Sequence, residues 1–398
     1  MNPNYRTQFN ENFSTEKYNA FLQDITSDFD YKVTFRIGET PFFIPKELKQ
    51  QLVEASNEVI NFIKNKDFIS LTDKALELNR KVPNEDNHTT FLAIDFGICE
   101  ENGKIIPKLI EVQGFPSLYN FQYNLAEKFQ NHYPFLSHLT PFFNGISKKE
   151  YLQIVEEAIC NAIAKENVIL LEIEPEKQNT QIDFFSTVNY LKIKVLCLTK
   201  VIKVGRQLFY KNEKDEDIRI EKIYNRVIFD ELDRRPDLTF GFHFSEDLDV
   251  EWIGHPNWFF RISKYTLPFL KSEFVPKTYF LNDIDPTTLD LTKYVLKPLF
   301  SFSGQGVKIN VTIEDIAAVE DKSNHILQEK VQYAPVLATP TGPAKVEIRM
   351  LLVWKKEWER PLLVNNLVRL SKGEMIGVRY NKDKDWVGAS VGFFNPIE

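Results

Sequence analysis

Cysteine is scarce: only Cys99, Cys160 and Cys197 occur in 398 residues. Their scattered spacing neither frames a set of disulfides nor matches a metal-binding motif. A reducing compartment is therefore the expectation. Long apolar runs are absent as well. No stretch approaches about 18 consecutive apolar residues, which argues against a membrane-spanning helix. The start, Met1-Asn-Pro-Asn-Tyr-Arg, has no apolar signal core behind it. Together these features point to a cytoplasmic protein with no membrane partner. Blocks of basic residues are missing too, and the net charge is −7, which argues against a nucleic-acid partner while leaving room for a local basic pocket. There is no Gly-x-x-x-x-Gly-Lys-Ser/Thr, no Gly-x-Gly-x-x-Gly and no Gly-x-Ser-x-Gly. The six histidines show no zinc spacing, and no Cys–His nucleophile arrangement is evident.

What is present is ordinary for a soluble globular chain: 43% hydrophobic and 26% charged residues, with 33 Phe and 15 Tyr to build a large core. The length suggests two or three subdomains. Tyr31 to Ile37 alternates like a strand. Leu48, Leu52, Ala55, Val59, Ile60 and Ile63 fall at helical spacing, and a second helix is expected over 69–80. Thr90 to Cys99 and Ile105 to Gln113 read as two strands joined through Asn102-Gly103, a strong hairpin signal. A helix carrying Tyr123, Leu125, Ala126 and Phe129 follows. Helices over 147–165 and 181–191 alternate with strands at Val168–Glu174 and Val195–Leu198, a Rossmann-like layer. Further strands are expected over 220–229, 307–311, 325–332, 346–354 and 361–370, a hairpin over 208–217, and short helices near 265–270 and 313–320.

Four groups of residues could carry chemistry. The first is Asp95, Glu111 and Gln113. Glu111 and Gln113 are two apart on one strand and so share a face, and Asp95 lies on the strand paired to it. Two carboxylates and an amide oxygen on one face suit Mg²⁺ shared with phosphate; the alternative is a solvated hairpin face. Against that alternative, both acids sit in apolar runs, Leu92-Ala-Ile-Asp-Phe and Leu109-Ile-Glu-Val, where a lone buried charge is expensive. The second group is Lys264 and Lys297, which flank a turn-rich segment and come ahead of a small loop, Ser303-Gly304-Gln305-Gly306. Glycines let backbone N–H groups approach anionic oxygens, and lysine supplies a point charge, so loop and lysines fit a lid over phosphates. A plain hairpin turn with surface lysines is the other reading. Third, Gln328-Glu329 on a short strand could pair with a purine edge. Fourth, Arg349 shares a strand face with Glu347, and Arg369 lies on the next strand. Arginine suits bidentate capture of phosphate or carboxylate, and a cross-strand ion pair is the alternative.

These pieces together resemble the ATP-grasp superfamily, and within it the circularly permuted branch that includes the synthetase domain of glutathionylspermidine synthase. Asp95-Phe96 with Leu109-Ile-Glu-Val-Gln-Gly-Phe-Pro-Ser-Leu-Tyr119 is similar to that family's Asp-Phe…Leu-Leu-Glu-Tyr-Asn…Pro-Thr-Ser-Leu-Tyr metal motif. Ser263-Lys264 with Leu267-Pro268, then Leu296-Lys297-Pro298 and Gly304-Gln-Gly-Val307, looks like its paired ATP lysines and glycine-rich lid. Gln328-Glu329 falls where its adenine hinge belongs, and the metal motif precedes the lid, as in the permuted branch. The likeness spans roughly 90–380. Two positions depart: Gln113 stands where the family has asparagine, and Ala93 where it has an arginine used on the glutathione side.

The resemblance implies an α+β, ATP-grasp-like fold with the ATP site between two α+β subdomains and an additional Rossmann-like layer. The implied divisions are 1–145 with the metal motif, 146–255 as the Rossmann-like subdomain, and 256–398 with the nucleotide lid and the rest of the core. It implies ATP and Mg²⁺, with Asp95, Glu111 and Gln113 on the metal. Lys264, Lys297, Ser303, Gly304, Gln305, Gly306, Gln328 and Glu329 fall on the nucleotide, and Arg349 or Arg369 steadies an acylphosphate. The implied reaction is ATP-dependent carboxylate–amine ligation on a small peptide or amino-acid-like substrate. Two other functions stay open: nucleotide binding without turnover, in a regulatory or partner role, and a small-molecule kinase.

Overall fold

The structure, a computed structural model, describes residues 1–397 apart from 28, 30, 32, 77–80, 302, 303, 375, 378 and 379. Its centre is the hairpin anticipated around Asn102-Gly103. Both turn residues take positive φ, 51° and 75°, as a two-residue hairpin loop requires. Strands Phe91–Glu101 and Lys104–Gln113 form one side of a five-stranded antiparallel sheet. Lys345–Val353, Leu362–Ser371 and Gly388–Ser390 follow in that order from the Phe91–Glu101 edge.

Alternation sorts this sheet into two faces. Leu92, Ile94, Phe96 and Ile98 join Val346, Ile348, Met350 and Leu352 in one core with Leu52, Val59 and Ile63 of the helix Lys46–Ile63. That face is largely apolar, with Asn366 beside Met350 and Ser390 beside Val368. The opposite face is apolar only where Phe91, Ala93, Leu351 and Val353 meet Tyr119, Tyr151, Val155 and Val168 in a second core. Past Ala93 the same face turns polar, with Asp95, Glu111, Gln113, Glu347, Arg349 and Arg369. A bulge lies at this transition. Asp95 pairs with Glu111 but the next residue, Phe96, pairs with Leu109, which leaves Ile110 extra. The extra residue lets Leu109 enter the core while Glu111 points to the polar side.

A four-stranded parallel sheet packs behind the second core, in the order Glu251–Ile253, Lys222–Asn225, Val168–Glu172, Lys194–Cys197. Helix Gln181–Leu191 makes the crossover between the last two, within the bounds the sequence suggests. The single strand expected over 220–229 is divided. Asp217–Ile220 completes a three-stranded antiparallel sheet with Gln207–Lys211 and Ile202–Val204, and Lys222–Asn225 enters the parallel sheet. A third unit is the antiparallel sheet Thr278–Phe280, His325–Glu329, Tyr294–Pro298, with His325–Glu329 in the middle.

Other expectations shorten. Tyr31 to Ile37 yields one isolated bridge, Ile37 to Ala389, among its described residues. The helix expected over 147–165 ends at Ile159. The one over 69–80 is a short helix Phe68–Thr72 and a 3-10 turn Asp73–Ala75, with 77–80 outside the described residues. The stretch 265–270 lies in a 3-10 helix, Lys264–Phe269, containing Pro268, which has no N–H to give an α-helix. Among the described residues no helix is long and apolar enough to cross a membrane.

One buried ion pair fixes the parallel layer against the sheet. Asp183, fully buried, takes Arg226 Nη1 at 2.6 Å and the backbone N–H groups of Leu118 and Phe121 at 3.2 and 3.0 Å. Those two amides open the helix Tyr119–His132, directly after the loop that follows Gln113. Asp183→Ala would strand the Arg226 charge and two helix N–H groups. Urea unfolding should show a loss of about 3–5 kcal/mol, the usual consequence of removing one partner of a buried pair.

Candidate functional site

Strand register brings the polar residues together. Asp95 lies opposite Glu111 on one side and Arg349 on the other, and Glu347 lies opposite Arg369. Asp95 is 1% exposed, so its charge depends on its partners. Arg349 grips it side-on, Nε to Oδ1 at 2.6 Å and Nη2 to Oδ2 at 2.7 Å. Arg369 Nη2 also donates to Oδ2, and to Glu347 Oε1 as well. Glu347 Oε2 takes the Tyr333 hydroxyl at 2.9 Å. Tyr333 reaches it by lying flat on Gly97, where a Cβ would come within 2.7 Å of the ring. Burial raises the Asp95 carboxyl, but the charges of Arg349 and Arg369 outweigh it and hold the group below the usual carboxylate range. For Glu347 burial wins over Arg369, and its carboxyl is raised.

The lysines arrive from two other units. The outer edge of strand Lys104–Gln113 is covered by the chain from 262 to 274, through Gly114 N to Ile262 O (2.9 Å) and Leu109 N to Phe274 O (2.8 Å). This run sets Lys264 beside Glu111, Nζ to Oε1 at 3.0 Å, and Lys264 also donates to Ser301 O at 2.7 Å. Lys297 comes from strand Tyr294–Pro298. Its Nζ donates to Gln328 Oε1 and lies 3.4 Å from Ile110 O, and no carboxylate pairs with it among the described residues. Burial pushes Lys297 down to about 8, Lys264 adds to the effect, and Glu111 opposes it. Glu111, Gln113, Phe115, Phe259, Lys264 and Phe300 line a cleft of about 20 Å³, room for a water molecule. Three buried polar atoms of these side chains have no partner: Gln113 Oε1, Gln328 Nε2 and Arg369 Nε.

The structure therefore joins Asp95, Glu111, Gln113, Lys264, Lys297, Gln328, Arg349 and Arg369 in one neighbourhood. Gly304 and Gly306 take φ of 70° and 71°, and Gln305 accepts from Arg234 at the end of the short helix Phe229–Asp233. Ser303 lies outside the described residues. The strand expected to resume after the loop is a single bridge, Leu296 to Lys308. Glu329 sits on the central strand of its sheet. Its N–H is taken by Lys277 O and that of Lys330 by Lys293 O, each at 2.8 Å, so neither is left to pair with a purine edge. Arg349 does make the bidentate grip its type suits, but on the chain's own Asp95, which Arg369 reaches through Nη2 alone. Of the metal-type set, Glu111 and Gln113 offer oxygens to a common side, Gln113 with none of its acceptor capacity used. Both Asp95 oxygens are already spoken for, and among the described residues no group of three or more His, Cys, Asp and Glu is arranged to hold a metal. Tyr333 is a partner that sequence reasoning missed, whereas the cross-strand ion pair considered for Glu347 is present with Arg369. Gly97, inside an apolar strand, was the available signal of a close approach.

Neither a family model nor a curated protein sequence matches the chain. Among solved structures it is similar to a glutathione synthetase-like effector from Globodera pallida, in its apo form. That match has a TM-score of 0.56 and 12% identity, and covers 96% of each chain. At that identity the likeness speaks for the fold alone. A putative gamma-glutamylcysteine synthetase from Methylobacillus flagellatus KT also aligns, at 12% identity over 87% of each chain. Its TM-score of 0.38 is too low to carry an argument.

The depressed Lys297 has a consequence for stability. Between its folded value of about 8 and the ordinary 10.5, the unfolded chain binds more protons, so raising the pH through that window favours the fold. Below the window the full burial penalty applies. Relative to Lys297→Met, wild-type stability in urea should rise by about 3 kcal/mol from pH 8 to pH 10.5, and the difference should not vary with pH below pH 7. A difference that does not change with pH would show that Lys297 is ordinarily charged.

Proposed function

We propose that the chain is an ATP- and Mg²⁺-dependent carboxylate–amine ligase acting on a small peptide or amino-acid-like acid. The observation that carries this reading is the convergence of Lys264, Glu111 and the unpartnered Gln113 oxygen on one cleft, with Lys297 close by at Ile110 O and Gln328. Two lysines suit a polyphosphate, and phosphoryl transfer needs positioning and charge neutralisation more than covalent help. The glutathione synthetase-like name of the fold neighbour supports a peptide-type amide as product.

In this reading Lys264 and Lys297 hold phosphate oxygens, and an arriving anion raises the depressed Lys297 back towards the ordinary lysine range. Glu111 and Gln113 fit a hard cation shared with the nucleotide, since Mg²⁺ is commonly held by one or two protein oxygens plus phosphates and water. A bound Mg²⁺ supplies neutralisation of the phosphate charge. The substrate carboxylate attacks the γ-phosphorus, ADP leaves, and an acylphosphate forms. Arg349 and Arg369 steady its oxygens. The loop from Leu299 onward shields it from water, which would otherwise hydrolyse it. An amine then attacks the acyl carbon, phosphate leaves, and an amide remains.

A second reading, nucleotide binding without turnover, is favoured by the grip of both arginines on Asp95, which leaves that carboxylate no free oxygen. ADP release measured with pools of acids and amines separates the two. The ligase reading expects release only when both pools and Mg²⁺ are present. It also expects Lys264→Met and Lys297→Met each to lower kcat/KM by about a hundredfold, the scale of losing a charge-stabilising group. Saturable ATP binding with no ADP under any pairing would favour the second reading.

A further inference from the structure

Four cationic side chains, Lys264, Lys297, Arg349 and Arg369, face three carboxylates, Asp95, Glu111 and Glu347, on this half-face of the sheet. The cluster is one negative charge short. The shortage shows in two places besides the count. Arg369 Nε is buried with no acceptor, and Lys297 finds only an amide and a carbonyl oxygen. Arg349 is 6% exposed and anchored, whereas the Arg369 side chain is 33% exposed and open to an incoming group. Side-on guanidinium pairing through Nε and Nη2 matches any group with two adjacent anionic oxygens.

We infer that Asp95 occupies a fork built for an external oxyanion, and that a ligand carboxylate or phosphoryl group displaces it from Arg369 and Arg349. The disagreement between the metal-type sequence around Asp95 and its arginine partners then has a physical meaning. Asp95 lies directly across from Glu111, with Gln113 two residues further along the same face. A carboxylate released from the arginines joins those two oxygens, completing the three-donor set. Binding of an oxyanion at the arginines and of a cation at the acids therefore favour each other, because each takes up the partner the other must lose. The inference rests on the ligase reading for the identity of the anion and not for its existence.

The test is calorimetric titration of the intact chain with inorganic phosphate and, separately, with acetate, without nucleotide or metal. Asp95→Asn removes the internal competitor and should tighten binding of at least one of them tenfold or more. Arg369→Gln keeps Asp95 on Arg349, and so keeps the fold, and should weaken binding tenfold or more. Tighter phosphate than acetate identifies a phosphoryl group as the natural occupant, and the reverse identifies the substrate carboxylate. Folded Asp95→Asn that binds neither anion more tightly than wild type overturns the inference. So does Arg369→Gln that binds as wild type does, and this arm decides alone if Asp95→Asn fails to fold. A chain that makes no ADP yet shows these shifts loses the ligase reading and keeps this one.

Discussion

Holding seven charged side chains on half of one sheet face is the constraint on which the rest of the molecule depends. An isolated charge cannot be kept away from water, so each must find a partner or lose its charge. Asp95, Glu347, Arg349 and Arg369 solve this by cross-strand pairing, with Tyr333 closing the end of the chain of contacts. Lys264 solves it with Glu111. Lys297 does not solve it, and its depressed pKa is the measure of that failure. The polar half-face is thus a place where the fold tolerates an unmet demand for negative charge, as binding sites for anions do.

The surrounding architecture explains how such a face is held. One side of the sheet is a continuous core against the helix Lys46–Ile63, and the other is sealed at one end by the second core. The bulge at Ile110 keeps Leu109 in the first core while Glu111 stays in the cleft. The segment after Gln113 is fastened through Leu118 and Phe121 to the Asp183–Arg226 pair, which ties the parallel layer to the cleft. The two lysines ride on other units, one along the sheet edge and one on the three-stranded sheet.

Much of this was legible in the sequence where the signal is local. Asn102-Gly103 announced the hairpin, period-two spacing placed Glu111 and Gln113 on one face, and the helix Gln181–Leu191 fell within its expected bounds. The acids were singled out because a charge inside an apolar run needs a reason, and the lysines because they come ahead of a glycine loop. Long-range pairing was not legible. Arg349 meets Asp95 across 254 residues of sequence, and nothing near either residue announces the other. Strand lengths were overestimated at 220–229 and after the glycine loop because apolar alternation does not reveal where a chain changes sheets. Gln328 illustrates the same limit, since its side chain serves Lys297 in a way only the third dimension discloses.

The central claim is that a carboxylate is activated by phosphoryl transfer before an amine attacks it. The most direct measurement uses amino acids and small peptides labelled with oxygen-18 in their carboxylates, together with ATP, Mg²⁺ and a pool of amines. Mass spectrometry of the released phosphate then traces the oxygen. Passage through an acylphosphate leaves one labelled oxygen in each phosphate formed. ADP produced with phosphate that carries no label would contradict it.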